Sequence, residues 1–221
     1  HLFVIWGLLA AVYAGFLCCD YAGLGPPWLP STLKYTGLLL CLLTVLLGRR
    51  RAHTRGDWRT TTLALCLTAV ADIFLLFTPW YVPGMMVFCC AHIAWLARYR
   101  LSAVRPAAMV TGAVFAVCIV LLLTGRGAPV LYIIGVLYAG LILTVTVCAF
   151  RSRLPKGMRL LAGLGMVLFL LCDVNVALYN LLPDSGLHHT FGVRMWLFYL
   201  PAQALLAASC VAWPPSPASG D

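Results

Sequence analysis

Residues 63–100, LALCLTAVADIFLLFTPWYVPGMMVFCCAHIAWLARYR, read as two membrane-spanning helices around a short uncharged turn, with Asp72 inside the first and His92 inside the second. An ionisable side chain in hydrocarbon costs at least about 2.5–3.5 kcal/mol, so a carboxylate retained there points to a functional site. Asp173 repeats the device about a hundred residues later. The question is whether the two carboxylates serve one site.

Composition supports the membrane reading. The 221 residues are 63% hydrophobic and 10% charged, with a mean hydropathy of +0.98. A water-soluble domain of this size would have to expose a large apolar surface at such values. The ten cysteines lie in or at the ends of apolar runs without a C-x-x-C pair, and read as buried packing residues.

Working outward, apolar stretches of bilayer-spanning length fall at 2–18, 32–48, 60–77, 84–98, 106–124, 129–150, 158–182 and 194–213. The fold class expected is all-α: a polytopic bundle of eight transmembrane helices, with residues 1–213 as one transmembrane domain and 214–221 as a disordered tail. The stretch 2–18 has the apolar character of a signal peptide, but no basic segment precedes it, and it is read as a retained helix.

Charge gives the orientation. Twelve of the fifteen basic residues fall in the second, fourth and sixth connections: Arg49, Arg50, Arg51, Arg55 and Arg59; Arg98, Arg100 and Arg105; Arg151, Arg153, Lys156 and Arg159. Only Lys34, Arg126 and Arg194 fall on the other side, so the positive-inside rule expects both termini in the cytoplasm. The net charge of +9 is thereby topological, aided by anionic membrane lipids, and nucleic acid is not an expected partner.

With orientation set, depth follows. Asp72 lies about 18 Å from the cytoplasmic end of the third span, and Asp173 about 22 Å along the seventh. Lys34, His92, Tyr138 and Gln203, on inward-running spans, are expected at similar depth. Phe88-x-x-x-His92 after Asp72 is echoed by Tyr199-x-x-x-Gln203 after Asp173, which suggests two parallel four-helix halves around a midplane site. Asp173, Ala177 and Asn180 share a helical face, expected to point into the bundle. Tyr13, Trp28, Trp80, Tyr81, Trp196 and Trp213 read as interfacial aromatics, and Asp20, Asp57, Asp184, His53, His188 and His189 as solvated loop residues.

These residues carry a resemblance. AVADIFLLF (69–77), PGMMVFCCAH (83–92) and WLARY (95–99), then GLGMVLFLLCDVNVAL (163–178) and FYLPAQALL (198–206), resemble the signatures of the YhhN-type lysoplasmalogenase family, with Lys34 also matching. The resemblance implies an eight-helix membrane hydrolase. Its substrate would be a lysoplasmalogen, cleaved at the vinyl ether bond to a fatty aldehyde and a glycerophospho-ethanolamine or -choline. It also implies that Lys34, Asp72, His92, Tyr138, Asp173 and Gln203 line the site. The sequence departs from the family pattern at Tyr35, Ala71, Trp95 and Cys172, none of them a carboxylate.

The inventory suits that chemistry. Two carboxylates away from water divide labour, because desolvation and mutual repulsion keep one protonated while the other stays ionised. Asp72 and Asp173 are the expected acid and base, with roles interchangeable at this stage. His92 would orient or relay protons, Tyr138, Gln203 and Asn180 would support water or substrate, and Lys34 would meet the lipid phosphate. No metal or other cofactor is required, and a homo-oligomer is left open.

Other readings stand beside it. Asp72 as an interhelical ion-pair residue, and His92, Tyr138 and Gln203 as hydrogen-bonded packing residues, are the structural alternatives. A zinc hydrolase would need more ligands at membrane depth than His92. An intramembrane aspartyl protease would show Gly-x-Gly-Asp, a serine hydrolase G-x-S-x-G, and neither is present. A proton-coupled transporter or a non-catalytic lipid-binding protein remains as the alternative, the transporter normally with helices broken by Gly or Pro at its site.

Overall fold

A computed structural model of the chain describes residues 2–23, 25–26, 28–125 and 128–211. Arg126, Trp213 and the 214–221 tail, on which expectations were placed, lie outside the described residues. The helices are α1 (Leu2–Ala22), α2 (Trp28–Leu47), α3 (Arg55–Phe77), α4 (Tyr81–Tyr99), α5 (Val104–Leu123), α6 (Ala128–Phe150), α7 (Lys156–Leu181) and α8 (His188–Ala208). Among the described residues all eight are long and apolar enough to cross a bilayer. The protein is an all-α polytopic membrane protein.

Helix count agrees with the sequence reading, but several ends do not. α1 runs on to Ala22 and so carries Asp20; α3 begins at Arg55 and carries Asp57; α8 begins at His188. Each of these polar residues had read as loop. Asp57 sits in the first turn of α3 and its backbone N–H donates to Thr54 Oγ1 at 3.0 Å. A hydroxyl before the helix and an acid inside its first turn are what an N-terminus with unsatisfied N–H groups favours. The His188 ring stacks on Tyr179 at 3.8 Å between centroids.

The chain forms two compact units that do not follow the expected halves. The first comprises residues 1–58 and 154–221, the second residues 59–153, inserted between them. In the first unit α7 packs on α8, α1 on α2, and α2 on α8. Small residues allow the approach, as membrane helices require when packing rather than the hydrophobic effect holds them together. A Cβ on Gly37 of α2 would lie 2.6 Å from Leu200 of α8, and one on Gly165 of α7 would lie 2.9 Å from Leu206 and 3.2 Å from the Ala202 carbonyl oxygen.

Contacts of this kind set the register. Lys34 meets Trp196, Gly37 meets Leu200 and Gly48 meets Val211, a nearly constant offset that makes α2 and α8 parallel. Gly165 meets Leu206, Phe169 meets Tyr199 and Tyr179 meets Gly192, so α7 and α8 are antiparallel. At the end shared by the C-termini of α2 and α8, Trp58 Nε1–H donates to the Val45 carbonyl at 3.0 Å beneath the Arg49 guanidinium, and Ala52 bridges to Val211.

In the second unit α4, α5 and α6 pack on one another. Of the buried residues of α3, Thr61, Ala64, Leu65, Thr68, Ala69 and Asp72 recur at helical spacing as one stripe, with Ala71 buried beside Asp72. Gly84 of α4 lies against Phe74 and Leu75 of α3, closing the hairpin. Cys41, Cys89, Cys118, Cys148, Cys172 and Cys210 are buried as expected, Cys18 and Cys66 exposed, and all ten are free thiols. Trp28, Trp80 and Tyr81 are exposed near helix ends, as interfacial aromatics should be.

Candidate functional site

In the second unit the sequence-selected residues are Asp72, His92 and Tyr138. Asp72 is 3% exposed, on the buried stripe of α3. His92 is fully buried on α4, and its ring meets that of Tyr138 on α6 edge-on at 5.0 Å. Phe88, one turn before His92, approaches both rings at 6.4 Å. His92 and Tyr138 are thus brought together by the α4–α6 packing, with Phe88 as a third ring.

The imidazole is oriented by its own helix. His92 Nδ1 lies 2.9 Å from the Phe88 carbonyl oxygen. A carbonyl only accepts, so Nδ1 carries the proton in this bond and Nε2 is the ring position left for other chemistry. Continuing the register set by Gly84, Asp72 is level with Met86 and Val87, about 8 Å from His92 along the helix axis.

In the first unit Lys34 has an unexpected partner. Its Nζ lies 2.7 Å from Asp20 Oδ2, with side-chain exposures of 9% and 13%. The ammonium also sits over the Trp196 ring at 4.6 Å and the Phe16 ring at 5.8 Å. An ion pair this dry depends on such added contacts to offset desolvation. Asp20 and Trp196 were missed as members of this cluster because Asp20 read as a solvated loop residue and Trp196 as an interfacial aromatic near a helix end.

The α7–α8 register splits the expected common depth. Asp173, half-buried, is level with Trp196 and hence with Lys34, whereas Gln203 is level with Met166, about 10 Å further along. Gln203 is fully buried, and neither its Oε1 nor its Nε2 has a hydrogen-bond partner among the described residues. The inward face of α7 also differs from expectation. Ala162, Gly165, Phe169, Cys172 and Asn175 form the buried stripe, while Ala177 and Asn180 are exposed. Asn180 turns its amide back to the Val176 carbonyl, and Asn175, not singled out from sequence, donates to the Leu171 carbonyl, both at 2.8 Å. The rotation follows from Gly165, whose missing side chain admits Leu206 and turns that face toward α8.

Tyr13 is a second correction. Its hydroxyl donates to the Leu197 carbonyl of α8 at 2.9 Å, a role beyond that of an interfacial aromatic.

A profile of the YhhN family matches residues 30–210, most of the chain, and takes in Lys34, Asp72, His92, Tyr138, Asp173 and Gln203. The chain belongs to the YhhN family. No curated protein and no solved structure matches it. As a YhhN protein it holds the polar residues of both signature stretches on membrane-spanning helices, Asp72 and His92 buried in one unit, Lys34 and Gln203 buried in the other.

Proposed function

We propose that this YhhN protein is a lysoplasmalogenase-like hydrolase of the membrane, cleaving the vinyl ether of a lysoplasmalogen with Asp72 and Asp173 as acid and base. The observation that carries the reading is the burial of Asp72 on the inward stripe of α3 in a chain of this family. A carboxylate kept there at the cost of insertion calls for a use.

In the proposed reaction one carboxylic acid delivers a proton to the β-carbon of the vinyl ether, leaving an oxocarbenium ion that the other, ionised carboxylate stabilises. Water adds to the α-carbon and gives up a proton, forming a hemiacetal. The hemiacetal C–O bond to glycerol breaks as that oxygen takes a proton and the hemiacetal hydroxyl gives one up to the carboxylate, yielding fatty aldehyde and the glycerophospho-alcohol. One water is consumed and the protons balance. His92, presenting Nε2, relays or orients, and Tyr138 and Gln203 support water and substrate; Asn180, turned back to its own helix, takes no part. Lys34 exchanges Asp20 for the lipid phosphate. Both termini are proposed to be cytoplasmic.

The continuity of α8 through Pro201 favours this reading over a transporter, which would use a broken helix at its site. The deciding experiment incubates purified protein with lysoplasmenylethanolamine and, separately, an ester-linked lysolipid, and measures aldehyde and fatty acid. Aldehyde alone is expected. Fatty acid, or neither product with lipid still bound, would sink the proposal.

A further inference from the structure

Within the second unit, α4, α5 and α6 line an open-sided cleft of about 440 Å³, a volume in the range of small-molecule sites. Its floor is buried Cys89, Leu96 and Ile134, and its rim is Val110, Val136 and Gly140. No charged side chain lines it. The polar ones are Thr111 and Thr144, and the Thr144 hydroxyl is already donated to the Gly140 carbonyl. An apolar cavity of this kind does not hold ordered water.

The shape narrows the occupant. The lining runs from Met86 to Leu96 on α4 and from Ile134 to Thr144 on α6, about 15 Å along each helix, so the cleft is elongated along the helix axes. A single extended hydrocarbon chain fits. The walls also adjoin the polar residues of this unit: Cys89 and Leu96 flank His92 on α4 at one turn either side, and Ile134 and Leu141 flank Tyr138 on α6 in the same way.

We propose that this cleft binds the one aliphatic chain of a lysolipid and sets it alongside the His92–Tyr138 contact. The owner of the chain rests on the hydrolase reading; the cleft itself does not. Because surrounding lipid tails are as apolar as the walls, retention depends on close packing and not on escape from water, and bulk lipid is the competitor to beat.

The test uses the full chain in phosphatidylcholine nanodiscs with a non-cleavable 1-O-alkyl lysophosphatidylethanolamine bearing a diazirine at mid-chain. After irradiation, adducts are mapped by peptide mass spectrometry. They are expected on the cleft walls of α4, α5 and α6 and to be suppressed by an unlabelled alkyl lysolipid. A Cβ on Gly140, which lines the cleft, would meet nothing within 4 Å, so Gly140→Leu should narrow the cleft and lower labelling several-fold. Gly112→Leu, also into open space but not on the cleft wall, should leave it unchanged. Adducts spread equally over exposed Val117, Val120 and Leu123, labelling that does not saturate, or labelling indifferent to Gly140→Leu would overturn the site. Should Gly140→Leu not fold, the wild-type map decides. Localised, saturable labelling in a protein that releases no aldehyde would sustain the cleft and remove the hydrolase reading.

Discussion

Tyr13 on α1 donates its hydroxyl to the carbonyl oxygen of Leu197 on α8, the acceptor that Pro201 four residues later has no N–H to reach. A proline inside a helix ordinarily leaves that carbonyl orphaned and costs about 3 kcal/mol. Here a neighbouring helix supplies the missing donor, which is how α8 remains one helix from His188 to Ala208. Tyr13→Phe is therefore expected to destabilise the folded protein by about 0.5–1.5 kcal/mol, read as a lower thermal midpoint in detergent. In a Pro201→Ala background the restored N–H competes for the same carbonyl, so the cost of Tyr13→Phe should shrink. Equal costs in both backgrounds would disprove the compensation.

The Lys34–Asp20 pair makes a second prediction of the same form. Removing one partner strands a nearly buried charge, whereas removing both strands none. Lys34→Met and Asp20→Asn alone should each lower the thermal midpoint more than the double variant does, with a coupling of about 1–3 kcal/mol. Additive losses would mean that the pair is screened despite its low exposure. If Lys34 also meets lipid phosphate, Lys34→Met should raise the KM for lysolipid with less effect on kcat.

The eight spans were legible because hydropathy over a bilayer's width leaves little choice of secondary structure. Helix ends were not, since polarity near an end does not distinguish a solvated loop from a side chain that finds its partner on the next helix. Asp20 with Lys34 and His188 with Tyr179 are of the second kind. Depth counted along each span gave one level for six residues. Helix register, set by where Gly165 admits Leu206 and Gly37 admits Leu200, separates Asp173 from Gln203, and no count along a single helix contains it. The compact units cut across the expected halves: chain order and the Asp-to-Gln echo suggested spans one to four and five to eight, whereas α1 and α2 pack with α8. The carboxylates themselves were legible from the start, because Asp in hydrocarbon is rare enough to be read singly.

Asp72→Asn and Asp173→Asn keep size and hydrogen-bonding capacity but remove the exchangeable acid. Each should abolish aldehyde release from lysoplasmalogen while leaving the elution volume and thermal midpoint near wild type. Full turnover by either variant would eliminate that residue from the mechanism. A loss of folding in Asp72→Asn alone would instead identify its burial on α3 as structural.

His92 allows a finer test, because its Nδ1 is committed to the Phe88 carbonyl. Any part in proton transfer or orientation then falls to Nε2. Gln extends an amide toward the Nε2 position and Asn toward that of Nδ1, so His92→Gln should retain more turnover than His92→Asn, by about tenfold if one hydrogen bond of about 1.4 kcal/mol is kept. Tyr138→Phe preserves the edge-on ring contact at 5.0 Å and removes only the hydroxyl. It should hold the thermal midpoint and lower kcat if the hydroxyl supports water or substrate. The reverse ranking at His92, with Tyr138→Phe indistinguishable from wild type in turnover, would make the pair a packing contact between α4 and α6 and leave the chemistry to the carboxylates.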